Sequence, residues 1–241
     1  ICGNINNKDV DKIVGALYEN DKVLGAAPYI ETQGLISSGS SLKGVYIFGI
    51  DPVLETSISM VSDQIIDGSW ESLSEESYNL LMGDILAMQL SLRVGDKVNV
   101  LVPDTNLGLA GILPRTRQFT VTGVFSLGAP EMDESFVFLN IKNSSKLLRM
   151  NNSVHGIRVR YEDLFLAPVQ IHKDLINIQN YLNLDLQASN WTQSYGTLFK
   201  AIKNEKFLIS LLLTFIVLVA IFNVVSMLVM IINEKRAQIA I

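Results

Sequence analysis

Residues that could perform acid–base or metal chemistry are few in this sequence and lie far apart. His155 and His172 are the only histidines, and Cys2 is the only cysteine. A metal site or an activated nucleophile needs several histidine, cysteine or carboxylate side chains at short spacings, and no such group surrounds either histidine. The G-x-S-x-G, H-E-x-x-H and G-x-x-x-x-G-K-S/T patterns are also absent. We therefore predict a protein that is not an enzyme and binds no cofactor and no metal.

The one strongly polar side chain deep in the longest apolar run is that of Asn223. The run, from Phe207 to Ile232, contains no charged residue. It exceeds the roughly 20 apolar residues that an α-helix needs to cross a bilayer, so we predict a transmembrane helix. Inside a bilayer, an amide hydrogen-bonds a neighbouring helix or lines a cavity for substrate, and the sequence leaves both roles open for Asn223.

A connecting segment of unusual composition, PDTNLGLAGILP, runs from Pro103 to Pro114. Connections between strands are normally polar because they lie in water. This one contains four large apolar side chains, those of Leu107, Leu109, Ile112 and Leu113. Two interpretations are open: the segment folds back over its own sheet, or it protrudes and contacts another protein.

The periodicity of the remaining sequence indicates an α+β domain. Apolar residues recur at helical spacing between about Lys8 and Glu19, and short strands are expected from Val23, with Pro28 indicating an edge or an end. The clearest pattern, Leu80–Pro103, predicts a strand, a short helix, a Gly-Asp turn and a strand with alternating valines. Asn143 is expected to cap the next helix. The last helix is expected to continue from polar sequence into the apolar run without a break.

The net charge, the charges that flank the apolar run and the two ends of the sequence indicate further properties of the protein. The net charge is −5 and no basic block is present, which argues against a nucleic-acid partner. Lysine and arginine flank the apolar run on both sides, so the charge bias does not orient it in a membrane. The sequence begins at Ile1 and stops at Ile241 inside an apolar–polar pattern, so we expect a fragment with sequence missing at both ends.

Three passages resemble the permease subunits of the lipoprotein-releasing ABC transporter, the LolC/LolE family. The first, LLMGDILAMQLSLRVGDKVNVLVP, is a pattern shared more widely with macrolide-exporter (MacB) and FtsX-type permeases. The second is the loop PDTNLGLAGILPR with the strand QFTVTGVF that follows it. The third, NWTQSYGTLFKAIKNEKFLISLLLTFIVLVAIFNVVSMLVMIINEKRAQIAI, is similar to the family's second membrane helix and its flanks and is the most specific.

The resemblance implies a particular domain organisation. A periplasmic Porter-like α+β module would comprise residues 1–50 and 141–200. A mostly β Sabre-like module would be inserted at 51–140 and carry a protruding hook at 103–114. Residues 207–232 would form a transmembrane helix, and 233–241 would begin a cytoplasmic segment. The complete subunit of the family crosses the bacterial inner membrane several times and has its large domain in the periplasm.

The resemblance also implies a function and a set of partners. Such a permease subunit extracts lipoproteins from the inner membrane and hands them to a periplasmic carrier for outer-membrane sorting. The expected partners are a LolD-like cytoplasmic ATPase that hydrolyses ATP, a second permease subunit, a LolA-like carrier, lipoprotein substrates and membrane lipid. The hook that grips the carrier would comprise Pro103, Leu107, Leu109, Ile112, Leu113, Pro114 and Arg115.

The sequence leaves the kind of subunit and two alternative functions open. AAPYI at Ala26–Ile30 looks like LolE, whereas the hook and GIDP at Gly49–Pro52 look like LolC, and a hybrid subunit that works as a pair is a third reading. A related MacB- or FtsX-type permease would export drugs or peptides or signal in cell division. A single-span periplasmic sensor or binding protein is the alternative from another class.

Overall fold

The computed structural model describes residues 1–75, 77–103, 114–151, 153–163, 165–182, 186–190 and 196–239. The chain divides into two compact units, Ile1–Ser189 and Asn190–Ile241. The first unit mixes helices with a large sheet and the second contains one long apolar helix. This arrangement confirms the predicted α+β class followed by a single apolar helix.

The first unit contains six α-helices and nine β-strands among its described residues. The helices are α1 Asn7–Tyr18, α2 Pro52–Glu55, α3 Asp84–Leu90, α4 Pro130–Ser135, α5 Ile141–Leu148 and α6 Ala167–Leu182. The strands are β1 Cys2–Asn6, β2 Val23–Ser38, β3 Ser41–Ile50, β4 Ile65–Gly68, β5 Asn79–Gly83, β6 Lys97–Val102, β7 Arg115–Phe125, β8 Phe136–Asn140 and β9 Ser153–Tyr161. Two short 3₁₀ turns, Val61–Gln64 and Glu71–Ser74, lie on either side of β4.

Six of the strands pair in a closed circuit. Starting at β2, the order is β3, β8, β5, β7 and β6, and β6 pairs with β2 again. The β3–β8 and β5–β7 pairs are parallel and the other pairs in the circuit are antiparallel. A closed circuit leaves no free strand edge along its members. The strands therefore enclose a small barrel whose interior is filled by apolar side chains, among them Ile36, Ile47, Leu80, Val100, Phe119 and Val137.

The predicted boundary between the two modules falls within this circuit. Strands β2 and β3 belong to the predicted flanking module, whereas β5 to β8 belong to the predicted insertion at 51–140. The pairs β2–β6 and β3–β8 join the two. The boundaries of the two modules stay a prediction. The strands of both predicted modules belong to the same sheet.

A second core lies between the sheet and helices α1 and α6. Val10, Ile13 and Leu17 of α1 are buried at the spacing that the sequence predicted. The helix begins where expected because the Asn6 side chain accepts a hydrogen bond from the Lys8 N–H, at 3.2 Å. Strands β1 and β9 extend the sheet beyond the barrel and complete this core with the side chains of Ile5, Val154, Ile157 and Tyr161.

At Pro28, strand β2 confirms one of the two interpretations, the edge, and not the other, the end. It continues through the proline as one strand of 16 residues rather than ending there. Pro28 pairs with Ile157 of β9, whereas pairing with β3 begins only at Tyr29. The N–H that proline lacks therefore falls where β2 has one neighbouring strand, which a sheet tolerates.

The cap of α5 also differs from the prediction. Asn140 begins the helix, and its side chain accepts a hydrogen bond from the Lys142 N–H at 2.9 Å. Asn143, the predicted cap, is buried inside the helix and donates from its amide nitrogen to the Ser77 carbonyl at 2.9 Å. The asparagine thus stabilises a tertiary contact instead of a helix end.

The second unit contains α7, Gly196–Ile239, an unbroken helix of 44 residues. The polar lead-in and the apolar run belong to the same helix, as predicted. Its part from Lys200 to Lys235 is long and apolar enough to cross a membrane by length and composition. Side chains described along this helix are exposed in the isolated chain, which is the expected state of a surface that lipid covers.

Candidate functional site

The predicted contact loop connects β6 to β7. Val102 and Arg115 are paired across the two strands, so the hairpin stays in register up to the residues that flank the loop. Pro103 and Pro114 follow directly on each side and are exposed. Leu107, Leu109, Ile112 and Leu113 lie outside the described residues.

The base of this hairpin is firmly held by the barrel. Val98, Val100 and Val102 all point into the apolar interior, as their alternation predicted. On the other strand, Phe119 is buried and its ring meets that of Tyr78 edge-on, with the centroids 5.4 Å apart. Because β6 pairs with β2 as well as with β7, the loop emerges from a fixed platform.

An apolar groove of about 550 Å³ lies at the loop's base. It brings Pro103 and Pro114 together with apolar residues that the sequence analysis did not single out, namely Leu35, Val45, Tyr46, Leu101 and Val102. Leu35 and Tyr46 are both partly exposed, although they lie on strands. The signal was present in the alternation of β2 and β3, where Leu35 and Tyr46 occupy outward positions.

A second groove at the same base, of about 490 Å³, is basic. Its lining includes Arg115 and Arg117 from β7 and Lys146 and Arg149 from the end of α5. The Arg117 guanidinium lies 4.3 Å from the ring centroid of Tyr78 and donates to its hydroxyl. Arg115 donates to the carbonyl of Leu148. These contacts hold two cations beside the loop, where they would attract an acidic surface.

A buried ion pair ties β9 to the helix after β3. Glu55 of α2 is fully buried, and its Oε2 accepts a hydrogen bond from Arg158 Nη2 at 2.8 Å. Burial raises the pKa of Glu55 to about 6, and the nearby Arg158 guanidinium opposes that rise. Within the described part of the chain, Glu55 Oε1 and Arg158 Nε are buried without a hydrogen-bond partner. The sequence analysis did not single out this pair, because Arg158 alternates with Ile157 and Val159, a pattern typical of a strand with one face in water.

The membrane residue Asn223 lies near the middle of the apolar part of α7, and its side chain is exposed in the isolated chain. Thr214 behaves differently, because its hydroxyl donates to the Ser210 carbonyl one turn back, at 2.9 Å. The amide of Asn223 is thus available to a neighbouring helix or to a cavity, the two roles that the sequence left open.

The candidate metal ligands are not assembled into a site in the part of the chain that the structure describes. No group of three histidine, cysteine or carboxylate side chains there could hold a metal ion. His155 accepts a hydrogen bond at Nδ1 from the Glu31 N–H, at 3.1 Å. His172 is exposed on α6.

Several curated proteins resemble the sequence, whereas no family model matches it. Two LolC proteins, called lipoprotein-releasing system transmembrane proteins, are each 35% identical: that of Neisseria meningitidis serogroup B over 99% of the chain and that of Xylella fastidiosa over 97%. A LolE protein of Haemophilus influenzae is 25% identical over 93% of the chain. The chain spans about half the length of these relatives, 57%, 55% and 53% respectively.

Two solved structures share the fold. The periplasmic region of MacB from Actinobacillus actinomycetemcomitans aligns with a TM-score of 0.53 and 13% identity, covering 85% of each chain. The extracellular domain of the transporter YknZ from Gram-positive bacteria also aligns with a TM-score of 0.53, at 12% identity, over 76% of this chain and 86% of its own.

The fold and the apolar helix define a class of protein, in which a domain with the fold seen in MacB and YknZ is followed by a helix long and apolar enough to cross a membrane. Within that class the chain belongs to the LolC/LolE family, as its sequence motifs indicated.

Proposed function

We propose that this chain is part of a permease subunit of an ABC transporter that releases lipoproteins from the bacterial inner membrane. The observation that carries the proposal is the 35% identity, over 99% of the chain, to a transmembrane protein of a lipoprotein-releasing system. The MacB-like fold and the long apolar helix support it. In this proposal the first unit lies in the periplasm, residues after Asn233 enter the cytoplasm, and the full protein crosses the membrane several times.

The physical task explains why such a subunit needs partners. Acyl chains hold a lipoprotein in the bilayer with about 0.8 kcal/mol for each buried CH₂ group, so release requires work and an apolar receiver. No nucleotide-binding pattern occurs in this sequence, and a separate LolD-like ATPase would therefore supply the work. The continuous helix α7 would transmit its movements to the periplasmic unit.

We assign the contact with a LolA-like carrier to the loop between β6 and β7. The paired residues Val102 and Arg115 hold its two ends together, and Pro103 and Pro114 restrict the backbone there. A restrained loop loses less conformational entropy on binding. The apolar side chains of Leu107, Leu109, Ile112 and Leu113 would enter the carrier, and the basic groove around Arg115 would face its acidic rim.

The experiment that tests the loop assignment replaces residues 109–113 by a Gly-Ser stretch of equal length. We expect carrier binding in a pull-down with a LolA-like protein to be lost, while the melting temperature of residues 1–190 stays nearly unchanged. The matched control is Ile66→Ser, which removes an exposed apolar side chain from β4 and should leave binding intact. Carrier binding by a folded Gly-Ser variant would show that the loop assignment is wrong.

We assign Asn223 to the contact between α7 and a neighbouring membrane helix of the permease. Asn223→Leu should weaken assembly in the membrane by about 1 kcal/mol, which is typical of hydrogen bonds between membrane helices. Thr214→Val is the control, because the Thr214 hydroxyl already bonds within its own helix. Equal assembly of the two variants, measured by energy transfer between labelled subunits in vesicles, would rule the contact out.

A related exporter is the second candidate function, and the MacB-like fold is the observation that favours it. An exporter of drugs or peptides has no need of a lipoprotein carrier. Failure of the wild-type chain to bind any LolA-like protein, combined with a loop that tolerates the Gly-Ser replacement, would favour this candidate.

A further inference from the structure

Three strands of the barrel carry an apolar row on their outer face. Leu35 of β2 is paired with Gly44 of β3 on one side and with Leu101 of β6 on the other. Directly opposed residues of neighbouring strands share a face of the sheet, and Leu35 is 40% exposed on this one. The row crosses two strand spacings, about 10 Å. It forms the floor of the apolar groove at the base of the β6–β7 loop.

The groove is open because Gly44 contributes no side chain to this row. A Cβ atom at Gly44 would meet no heavy atom within 4 Å. Tyr46, two residues further along β3, forms one wall, and its ring packs edge-on against that of Phe136 with the centroids 5.9 Å apart. The volume of the groove, about 550 Å³, lies within the range of about 300–1,000 Å³ that is typical of sites for small ligands.

The chemistry of the lining favours an occupant that needs no polar partner. Among the described residues, no charged side chain lines the groove, and Gln33 and Tyr46 supply its only polar side-chain groups. The backbone of the floor adds none, because β2 pairs with a neighbouring strand on each side at Leu35. A peptide bound on this floor would bury its own N–H and C=O groups without partners, which is unfavourable. A hydrocarbon chain has no such groups to satisfy.

We propose that this groove binds one fatty acyl chain of the lipoprotein cargo. The inference rests on the proposed function, since release of a lipoprotein requires an apolar surface that receives its acyl chains outside the bilayer. The groove adjoins Pro103 and Pro114, the two ends of the loop that we assign to the carrier contact. An acyl chain held there is partly shielded from water beside the place where the carrier binds.

The test uses the full chain in phosphatidylcholine nanodiscs and a medium-chain fatty acid that carries a photoactivatable diazirine. After irradiation, mass spectrometry measures the labelling of the peptides that contain β2, β3 and β6. We expect these peptides to be labelled in the wild type. Gly44→Phe, which fills the groove, should lower their labelling at least about tenfold, the loss expected when two buried CH₂ groups are displaced.

Matched variants separate filling of the groove from general effects of substitution. Gly15→Phe adds the same side chain on α1, where a Cβ atom also meets no heavy atom within 4 Å, and should leave labelling unchanged. Leu35→Asn should lower labelling about fivefold, because it removes apolar surface from the floor. Leu42→Asn changes an exposed leucine of β3 that lies outside the lining and should have no effect. Labelling that Gly44→Phe and Gly15→Phe change equally would contradict the proposal.

A second experiment identifies the source of the acyl chain. The transporter, assembled with its ATPase and second permease subunit, receives either a lipopeptide or a phosphatidylcholine with the diazirine in one acyl chain. The lipopeptide should label the groove only when ATP is hydrolysed, and the phosphatidylcholine should not label it. Equal labelling by the two lipids would overturn the assignment to the cargo.

Two further measurements keep this inference separate from the function on which it rests. Lipoprotein release by the same transporter without any labelling of the groove would overturn the inference and leave the proposed function standing. Labelling by the fatty acid without lipoprotein release would overturn the proposed function, and the cargo with it, and leave a site for an acyl chain. An unlabelled groove in wild type, together with loss of carrier binding by Gly44→Phe, would show that the carrier itself covers the groove and that the proposal is wrong.

Discussion

Two hairpins of the same barrel end in very different connections. Strands β2 and β3 are closed by Gly39 and Ser40 between the paired residues Ser38 and Ser41, and Gly39 has the positive φ of 57° that such a turn needs. Strands β6 and β7 have the same antiparallel pairing up to Val102 and Arg115, yet residues 103–114 connect them. Two polar residues suffice to close a hairpin in this barrel. The apolar content of the longer connection therefore needs another explanation, and contact with a partner is the one we propose.

The hairpins also differ in what holds their far ends. Both pairs place apolar side chains inside the barrel, and β3 in addition leads into α2 and its buried Glu55–Arg158 ion pair. Apolar packing does not respond to pH, but a buried carboxylate does. The comparison predicts that stability depends on pH on one side of the barrel and on loop length on the other.

The largest expected effect comes from Glu55→Gln. Burial raises the folded-state pKa of Glu55 from 4.5 to about 6. The stability that comes with its protonation is fully present below pH 4.5 and is lost as pH rises through 6. A shift of this size corresponds to about 2 kcal/mol. Glu55→Gln mimics the neutral form. Its free energy of unfolding should therefore rise by about this much relative to that of wild type between pH 4.5 and 7.5. Urea unfolding of residues 1–190 measures it.

Glu19→Gln provides the control for this measurement, because Glu19 is exposed at the end of α1. The difference in unfolding free energy between this variant and wild type should not change with pH over the same range. If the difference in unfolding free energy between Glu55→Gln and wild type were also independent of pH, Glu55 would not make the stability of the β2–β3 side of the barrel depend on pH.

A smaller effect is expected when the connection between β6 and β7 is shortened to the length of the turn between β2 and β3. Replacing residues 103–114 by Asn-Gly should raise the free energy of unfolding by about 1.5 kcal/mol, since a shorter loop loses less entropy on closure. Urea unfolding of residues 1–190 measures it. Lengthening the Gly39-Ser40 turn with ten glycines and serines should lower stability by a similar amount. A graft that loses stability would show that the loop packs on its own sheet.

The smallest effect concerns the charges beside the loop. Arg117→Ala should slow association with a LolA-like carrier by about two- to fivefold at low salt, because a cation at the rim steers an acidic partner. The difference should disappear at high ionic strength. Stopped-flow association rates measure it, with Lys43→Ala near the β2–β3 turn as the control. Equal association rates for the two variants would show that the basic groove takes no part in the contact with the carrier.

Much of the local structure was predictable from the sequence, because local signals act over a few residues. The strand, helix, turn and strand within Leu80–Pro103 appear as β5, α3, the Gly95 turn and β6. The continuous last helix is also confirmed from Gly196 onward. The cap of α5 was misplaced because both Asn140 and Asn143 have the chemistry of a cap. The structure distinguishes them, because Asn140 accepts from the Lys142 N–H whereas Asn143 contacts Ser77.

The sequence by itself determined the apolar run that can cross a membrane, the mixed α+β character and the family, since each depends on composition, period or residue order along the chain. Tertiary structure decided the closed circuit of β2, β3, β8, β5, β7 and β6, the Glu55–Arg158 pair and the basic groove formed by β7 with α5. Alternation along a strand tells which side chains share a face. It does not tell which strand lies alongside, and those three features each join residues that only strand pairing and helix packing bring together.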